Sequence, residues 1–269
     1  MLIQKSVKKQ LDAIVTSKPH ATLLHGRFGV GLATTAQEIA AKVTPVSNII
    51  TVQPDEKGSI KIKTIRELYA FTRSKQHEKL VIIVDDADTM QAPAQNALLK
   101  LLEEPPEHVM FILTAHNPQI LLPTILSRVQ KVEIVPLSNA QTEVLLQELG
   151  INDEKKRLQL QYMAMGLPAE ITRLIQDKEY FEKRSNSIKQ ARDFVKNDTY
   201  KRLVTSYKVA QEREKAMSLL RDIAHILEVS LKQKTEPRLA QFLDATISTQ
   251  EKLLADGNVR VQLLNLCLT

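Results

Sequence analysis

The sequence predicts an α/β domain built on a parallel sheet, then a small helical lid, then an all-helical domain. Three observations carry this. Leu80-Val81-Ile82-Ile83-Val84 is an unbroken apolar run that ends abruptly in Asp85-Asp86-Ala87-Asp88, the pattern of a strand covered on both faces. Ala21 to His25 is a second short apolar segment, followed at once by a glycine-rich stretch and a helical pattern reaching about Lys42. Beyond Pro136 the strand signals stop and only helical periodicity continues. The boundaries drawn are 1–136 for the α/β domain, 137–177 for the lid and 178–269 for the last domain.

Taken in order, Val7, Leu11, Ile14 and Val15 recur at helical spacing over residues 4–16, with Lys5, Lys8 and Lys9 opposite. After the Ala21–His25 strand, Gly26, Gly29 and Gly31 form the turn into the next helix. Strand, glycine-rich turn and helix is the setting of a phosphate-binding loop, in which backbone N–H groups converge on an anion at the helix start. The loop departs from the G-x-x-x-x-G-K-[ST] pattern. Gly26 and Gly31 stand in place, but Leu32 occupies the lysine position and Ala33 the magnesium-binding hydroxyl position. A charge-assisted hydrogen bond contributes roughly 1.5–3 kcal/mol. Losing the lysine alone therefore weakens triphosphate binding by about one to two orders of magnitude. Thr34 and Thr35 point elsewhere on the helix and do not replace the hydroxyl. A coincidental glycine turn is the competing reading, and the correct flanking elements speak against it.

Ile49 to Val52 reads as a strand. Thr64 is expected to cap a helix from Ile65 to about Lys75. Lys63, Thr64 and Arg66 then gather near a helix start and are candidates for contacts to nucleic-acid phosphates; a solvated helix face explains them equally. The acidic pair Asp85-Asp86 after an apolar strand matches the magnesium and base positions of a phosphate-loop ATPase. Asp86 is one methylene shorter than the usual glutamate. The alternative is that Asp85, Asp86 and Asp88 cap the following helix. That helix spans Gln91 to Glu104, with Ala94, Ala97, Leu98, Leu101 and Leu102 on one face, Pro93 in its first turn and Pro105-Pro106 stopping it. Val109 to Leu113 is another buried strand, tipped by Thr114-Ala115-His116-Asn117. Thr114 stands where such folds place a polar contact to the γ-phosphate or the attacking water. Pro123 opens a short helix into Ser127-Arg128, where the arginine either complements the helix dipole or projects into a neighbour's nucleotide site. In an open α/β sheet ligands bind at the carboxyl ends of strands, where both polar tips lie.

Val132 to Val135 is expected as the last strand. Helices follow over 139–149, 154–163, 169–175, 216–233, 237–256 and 258–268. Residues 182–215 hold ten Lys/Arg against five Asp/Glu and read as long amphipathic helices with a solvated face. The chain of 269 residues is too long for one ordinary core. Its single cysteine, Cys267, gives no disulfide framework or cysteine zinc site and suits the cytoplasm. No apolar stretch nears a membrane span, and Met1 to Lys5 lacks a signal-peptide core. The net charge of +6 fits a nucleic-acid neighbour but is common in soluble proteins.

Several motifs occur in a shared order: Asp85-Asp86-Ala87-Asp88, Asn96-Ala97-Leu98-Leu99-Lys100, Leu102-Glu103-Glu104-Pro105-Pro106, Leu121-Leu122-Pro123-Thr124-Ile125 and Ser127-Arg128. With Pro19-His20-Ala21 and Asn258-Val259-Arg260, they make the chain resemble bacterial clamp-loader subunits of the delta-prime type, AAA+ proteins of the DNA polymerase III holoenzyme. The resemblance implies an AAA+ domain, a lid and an oligomerising collar. It implies a non-hydrolysing stator that needs no cofactor and no metal, in a hetero-oligomeric ring with the motor ATPase and delta subunits. The ring transiently opens the sliding clamp and meets primed DNA; no membrane is involved. The family's serine-arginine-cysteine motif appears as Ser127-Arg128-Val129, which assigns Arg128 to the neighbour's ATP. The four-cysteine zinc module of many relatives is missing, and Ala169 and Glu170 stand where active lids carry a sensor arginine. Two other functions stay open: an AAA+ ATPase with Asp85 on magnesium and Asp86 as base, and a DNA-binding or recombination helper outside any clamp-loader ring.

Overall fold

The computed structural model describes residues 5–74, 79–234 and 236–269. The expected N-terminal features at 1–4 and the end of the helix at Lys75 lie outside them. The chain divides into two compact units, Met1–Thr172 and Arg173–Thr269.

In the first unit, α1 (Lys5–Ser17) leads into β1 (Ala21–His25), α2 (Leu32–Val43), β2 (Ile49–Val52), α3 (Ile62–Ser74) and β3 (Leu80–Val84). There follow α4 (Ala92–Glu103), β4 (Val109–Ala115), α5 (Pro123–Leu126) and β5 (Gln130–Glu133). The strands form one parallel sheet in the order β2-β3-β4-β1-β5. Every residue of β3 and β4 is buried. The two-residue period of a strand sorts them between two cores. Leu80, Ile82, Val84, Phe111 and Leu113 join Leu98 and Leu101 of α4 on one face. Val81, Ile83 and Ile112 join Ile14 of α1 and Ile39 of α2 on the other. Continuous apolar runs are what a sheet sandwiched by helices requires.

Three sequence expectations shift. Thr64 does not cap a helix: α3 begins at Ile62, placing Thr64 inside its first turn. The preceding loop is drawn tight by Asp55, which accepts the Lys57 and Ser59 N–H groups and pairs with Lys61 at 2.6 Å. The last strand is Gln130–Glu133 rather than Val132–Val135. It pairs with Thr22–His25 at the sheet edge, so its exposed Gln130 and Lys131 gave no apolar signal. The third shift lengthens β4 by two residues, because Thr114 and Ala115 are fully buried. Three helices complete this part: α6 (Asn139–Glu148), closed by a capping box of Ser138 and Gln141, α7 (Glu154–Ala164) and α8 (Pro168–Gln176), which runs across the unit boundary.

The second unit is all helical beyond α8: α9 (Lys178–Lys196), α10 (Thr199–Val209), α11 (Arg213–Gln233), α12 (Pro237–Leu254) and α13 (Val259–Cys267). Asp177, Asp198 and Asn258 cap the helices they precede. The stripe Leu219, Leu220, Ile223 and Leu227 of α11 is buried, and α11 packs against α9 and α12. A buried ion pair ties α9 to α11: Asp222, 1% exposed, accepts from Arg184 at 2.5 Å and from Ser187 at 2.9 Å. No described helix is long and apolar enough to cross a membrane.

Gly26 tests the packing of β1 on β5. A Cβ there would overlap the Ile134 carbonyl oxygen, whose own N–H donates to His25 at 2.7 Å. Gly26→Ala should lower unfolding stability by about 1–3 kcal/mol, read as a shift of the urea midpoint. An unchanged midpoint would mean that the two backbones are not in close contact.

Candidate functional site: the strand tips and the glycine loop

The sheet order places the carboxyl ends of β3, β4 and β1 side by side. In the ladder Val84 sits opposite Leu113, and Leu24 opposite Thr114, so the acidic tip, the polar tip and the glycine loop emerge together.

The glycine loop is shaped by backbone conformation. Gly29 (φ 88) and Gly31 (φ 89, at the cap of α2) take left-handed angles open to glycine at no steric cost. Val30 and Leu32 turn inward and are 2% and 3% exposed, in the same core as Ile39 and Val81. The side chain at the lysine position of the phosphate-loop pattern therefore fills the core. Ala33 and Thr34 are exposed. Thr35 turns its hydroxyl back to its own helix, donating to Gly31 O at 2.8 Å. The loop is also seated on the helices that follow the sheet: Gly29 O accepts the Ala169 N–H at 3.2 Å, and Leu167 lies against Gly29.

The acidic tip does not cap α4, whose cap residue Gln91 makes no side-chain capping bond. It clamps β4 instead. Asp85 Oδ1 accepts the Thr114 hydroxyl at 2.7 Å, and the same Thr114 oxygen accepts the Asp86 N–H at 2.8 Å. Thr114 is fully buried, its hydroxyl engaged as donor and acceptor. Asp88 Oδ2 accepts the His116 and Asn117 N–H groups at 3.1 and 2.7 Å.

His116 closes the third seam. Its Nδ1 lies 3.0 Å from Gly26 O and its Nε2 lies 3.3 Å from Asp86 Oδ1. A carbonyl oxygen only accepts, so Nδ1 carries a proton. The imidazole thus spans from the β1 tip to the β3 tip. Phe28 of the glycine loop lies over the imidazole, with ring centroids 5.0 Å apart. Asp86 itself holds a left-handed backbone (φ 48, ψ 50), uncommon for a residue other than glycine. Burial, then the neighbouring Asp85, push its carboxyl above the ordinary aspartate range; His116 opposes them, and Asp88 adds to the rise. Among the described residues no group of three or more His, Cys, Asp or Glu side chains is arranged to hold a metal ion.

Arg128 follows α5 and its cap residue Ser127. Its guanidinium pairs with Glu103 at 3.0 Å and donates to Thr124 O at 3.0 Å, with Ser127 Oγ at 3.4 Å. Its side chain remains 37% exposed. Lys63 and Arg66 are exposed on α3, Lys63 3.9 Å from Glu67, and Thr64 is half-buried; no described contact gathers the three. His116 and Glu103 hold positions that sequence reasoning did not assign, and Asp88, read there as a possible helix cap, binds the β4 tip instead. Only knowledge that β3, β4 and β1 are neighbours would have brought His116 to Asp86 and Gly26.

The fold defines the class first: an α/β domain on a five-stranded parallel sheet, followed by a helical C-terminal region. The family model described as DNA polymerase III, delta subunit matches residues 42–138. The DNA polymerase III subunit delta' of Bacillus subtilis is 39% identical over 140 residues, 51% of this chain and 42% of that protein. The delta' subunit of Pseudomonas aeruginosa is 29% identical over 181 residues, 58% of this chain and 55% of that one. The gamma subunit of Buchnera aphidicola is 28% identical over 237 residues, 77% and 65% of the two chains. The chain thus spans less than two thirds of each of these relatives. A gamma subunit-related protein of Thermotoga maritima shares the fold, with a TM-score of 0.55 over 97% of both chains at 20% identity. The sequence of this chain is thus similar to both delta' and gamma subunits of DNA polymerase III.

The raised carboxyl of Asp86 gives a pH test. A carboxyl whose folded pKa exceeds its unfolded value favours the fold at low pH, and this contribution fades as pH rises through the folded value. The stability of Asp86→Asn relative to the unaltered chain should therefore increase from about pH 4 to pH 7, measured by urea unfolding. A difference that stays constant or shrinks over that range would contradict the assigned environment.

Proposed function

We propose that the chain is a non-hydrolysing stator in the clamp loader of DNA polymerase III, a component of the replication machinery. The observation that carries this reading is Leu32, which stands at the lysine position of the phosphate loop and is buried in the core. A bound triphosphate draws on that ammonium, on a hydroxyl at position 33 and on a free polar group at the β4 tip. This chain offers a buried leucine, an alanine and a Thr114 hydroxyl already engaged by Asp85 and Asp86. These residues do not fit a magnesium nucleotide, so the stator requires no cofactor of its own. Similarity to delta' and gamma subunits supports the partners: motor ATPase and delta subunits in a hetero-oligomeric ring, the sliding clamp transiently, and primed DNA through the assembly. In this reading residues 1–136 are the AAA+ domain, 137–177 the lid and 178–269 the collar.

Arg128 is the group that acts on a neighbour. Its guanidinium reaches the surface beside Ser127 and would neutralise charge developing on the phosphoryl oxygens of the adjacent subunit's ATP. On its own chain Glu103 and the Thr124 carbonyl hold the guanidinium, and it would exchange them for the neighbour's phosphate. An intrinsic ATPase is the second reading, favoured by one observation: two carboxylates do stand at the β3 tip beside the glycine loop. Against it, Asp85 already accepts from Thr114 and Asp86 faces His116, so one oxygen of each carboxylate is taken up within the chain.

In the reconstituted loader, Arg128→Ala should lower ATP turnover at the site it serves by about 10³-fold or more while ring assembly, followed by gel filtration, is unchanged. Unaltered turnover in the assembled variant would remove the role assigned to Arg128.

A further inference from the structure

Arg128 and Glu103 stand on a packed base. Leu98, Leu101 and Leu102 of α4 and Ile125 of α5 are buried in one core, so the helices that carry the pair are fixed against each other. Glu103 is the last residue of α4. Arg128 follows the cap of α5, and its N–H donates to Ile125 O at 3.0 Å. Only the two side chains are left to rearrange. A carboxylate in the last turn of a helix meets the negative end of the macrodipole, so the stability of α4 gives no reason for one there. What Glu103 meets instead is the guanidinium, 3.0 Å away. Among the described ion pairs of Arg128, Glu103 is the partner and the neighbouring Glu104 is not.

The pair is built to open. Its side chains are 37 and 44% exposed. The Arg184–Asp222 pair of the second unit is the contrast, at 13 and 1% exposed, with Ser187 as a further donor to the carboxylate. Separating a buried pair strands a charge away from water, whereas an exposed pair biases an equilibrium by no more than about fivefold. The other acceptors of Arg128, Thr124 O and Ser127 Oγ, are neutral. Among the described contacts Glu103 is thus the charged partner that an incoming phosphoryl oxygen has to displace. We propose that Glu103 regulates Arg128 by competition, holding the guanidinium while the neighbour's site is empty and giving it up to a nucleotide phosphate. This rests on the role proposed for Arg128 at that site. Nucleotide affinity is then reduced by the fraction of Arg128 held on Glu103. Once the guanidinium has transferred, the bound complex turns over as it would without Glu103.

The test is ATP hydrolysis by the reconstituted loader carrying Glu103→Gln, which keeps an acceptor and removes the charge. The contribution of the site served by Arg128 is the difference from an Arg128→Ala loader. KM for ATP at that site should fall by about two- to fivefold, with the change confined to KM. Glu104→Gln should move nothing, and Glu103→Gln should have no effect in the Arg128→Ala background. Gel filtration checks that each ring assembles. An unmoved KM would overturn the proposal. So would a fall in kcat in its place, because Glu103 would then be a fixed support that turnover needs. Unaltered turnover in the Arg128→Ala loader is a different failure: it removes the role of Arg128 itself, and this inference with it.

Discussion

Asp85 and Thr114 meet at 2.7 Å across the seam between β3 and β4, and the Asp86 N–H closes on the same threonine oxygen at 2.8 Å. Everything at the carboxyl edge of the sheet is arranged around this pair. Parallel strands end with unpaired backbone groups and dissimilar loops, and the sheet ladder itself cannot hold those loops together. Here side chains extend the ladder: Asp88 gathers two N–H groups of the β4 tip, and His116 reaches over to the glycine loop. Buried polar groups with partners rigidify, whereas the same groups without partners would each cost about 1–3 kcal/mol. The tips are therefore committed to one another.

That commitment bears on the function proposed. A working nucleotide site needs carboxylates and a polar strand end free to meet a metal, a phosphate or a water. At this edge those groups satisfy each other, and the loop that would cradle phosphates is held from two sides. Val30 and Leu32 anchor it in the core, and Ala169 grips Gly29 from the following helix. Such a loop is held from several sides, which is what the proposed stator, presenting Arg128 to a neighbour, would require. The left-handed Asp86 fits the same picture, because a strained backbone persists only where its surroundings over-determine it.

Much of this was legible in the sequence, for identifiable reasons. Leu80–Val84 could be nothing but a buried strand, and its ends fall where the apolar run ends. The helices α11, α12 and α13 follow the periodic stretches at 216–233, 237–256 and 258–268, whereas the break between α9 and α10, made by the cap Asp198, was not read within 182–215. What stayed hidden depends on contacts between distant segments. The edge strand Gln130–Glu133 is recruited by backbone pairing with β1 and carries exposed polar residues. The start of α3 is set by Asp55, seven residues upstream, through loop bonds no helix signal encodes. The inward turn of Leu32 was visible as a missing lysine but not as a core residue. The partners of His116 and Arg128 lie 90 and 25 positions away, at Gly26 and Glu103, where only the folded sheet brings them.

The central claim is that this chain holds its strand tips closed for structure and does not turn over nucleotide. The most direct test is steady-state hydrolysis of magnesium ATP by the purified chain alone, beside an Asp86→Ala control. The account predicts no turnover above background in either protein. Turnover by the unaltered chain that disappears in the control would contradict it, and would make Asp86 a working base in a loop that holds phosphate without a lysine.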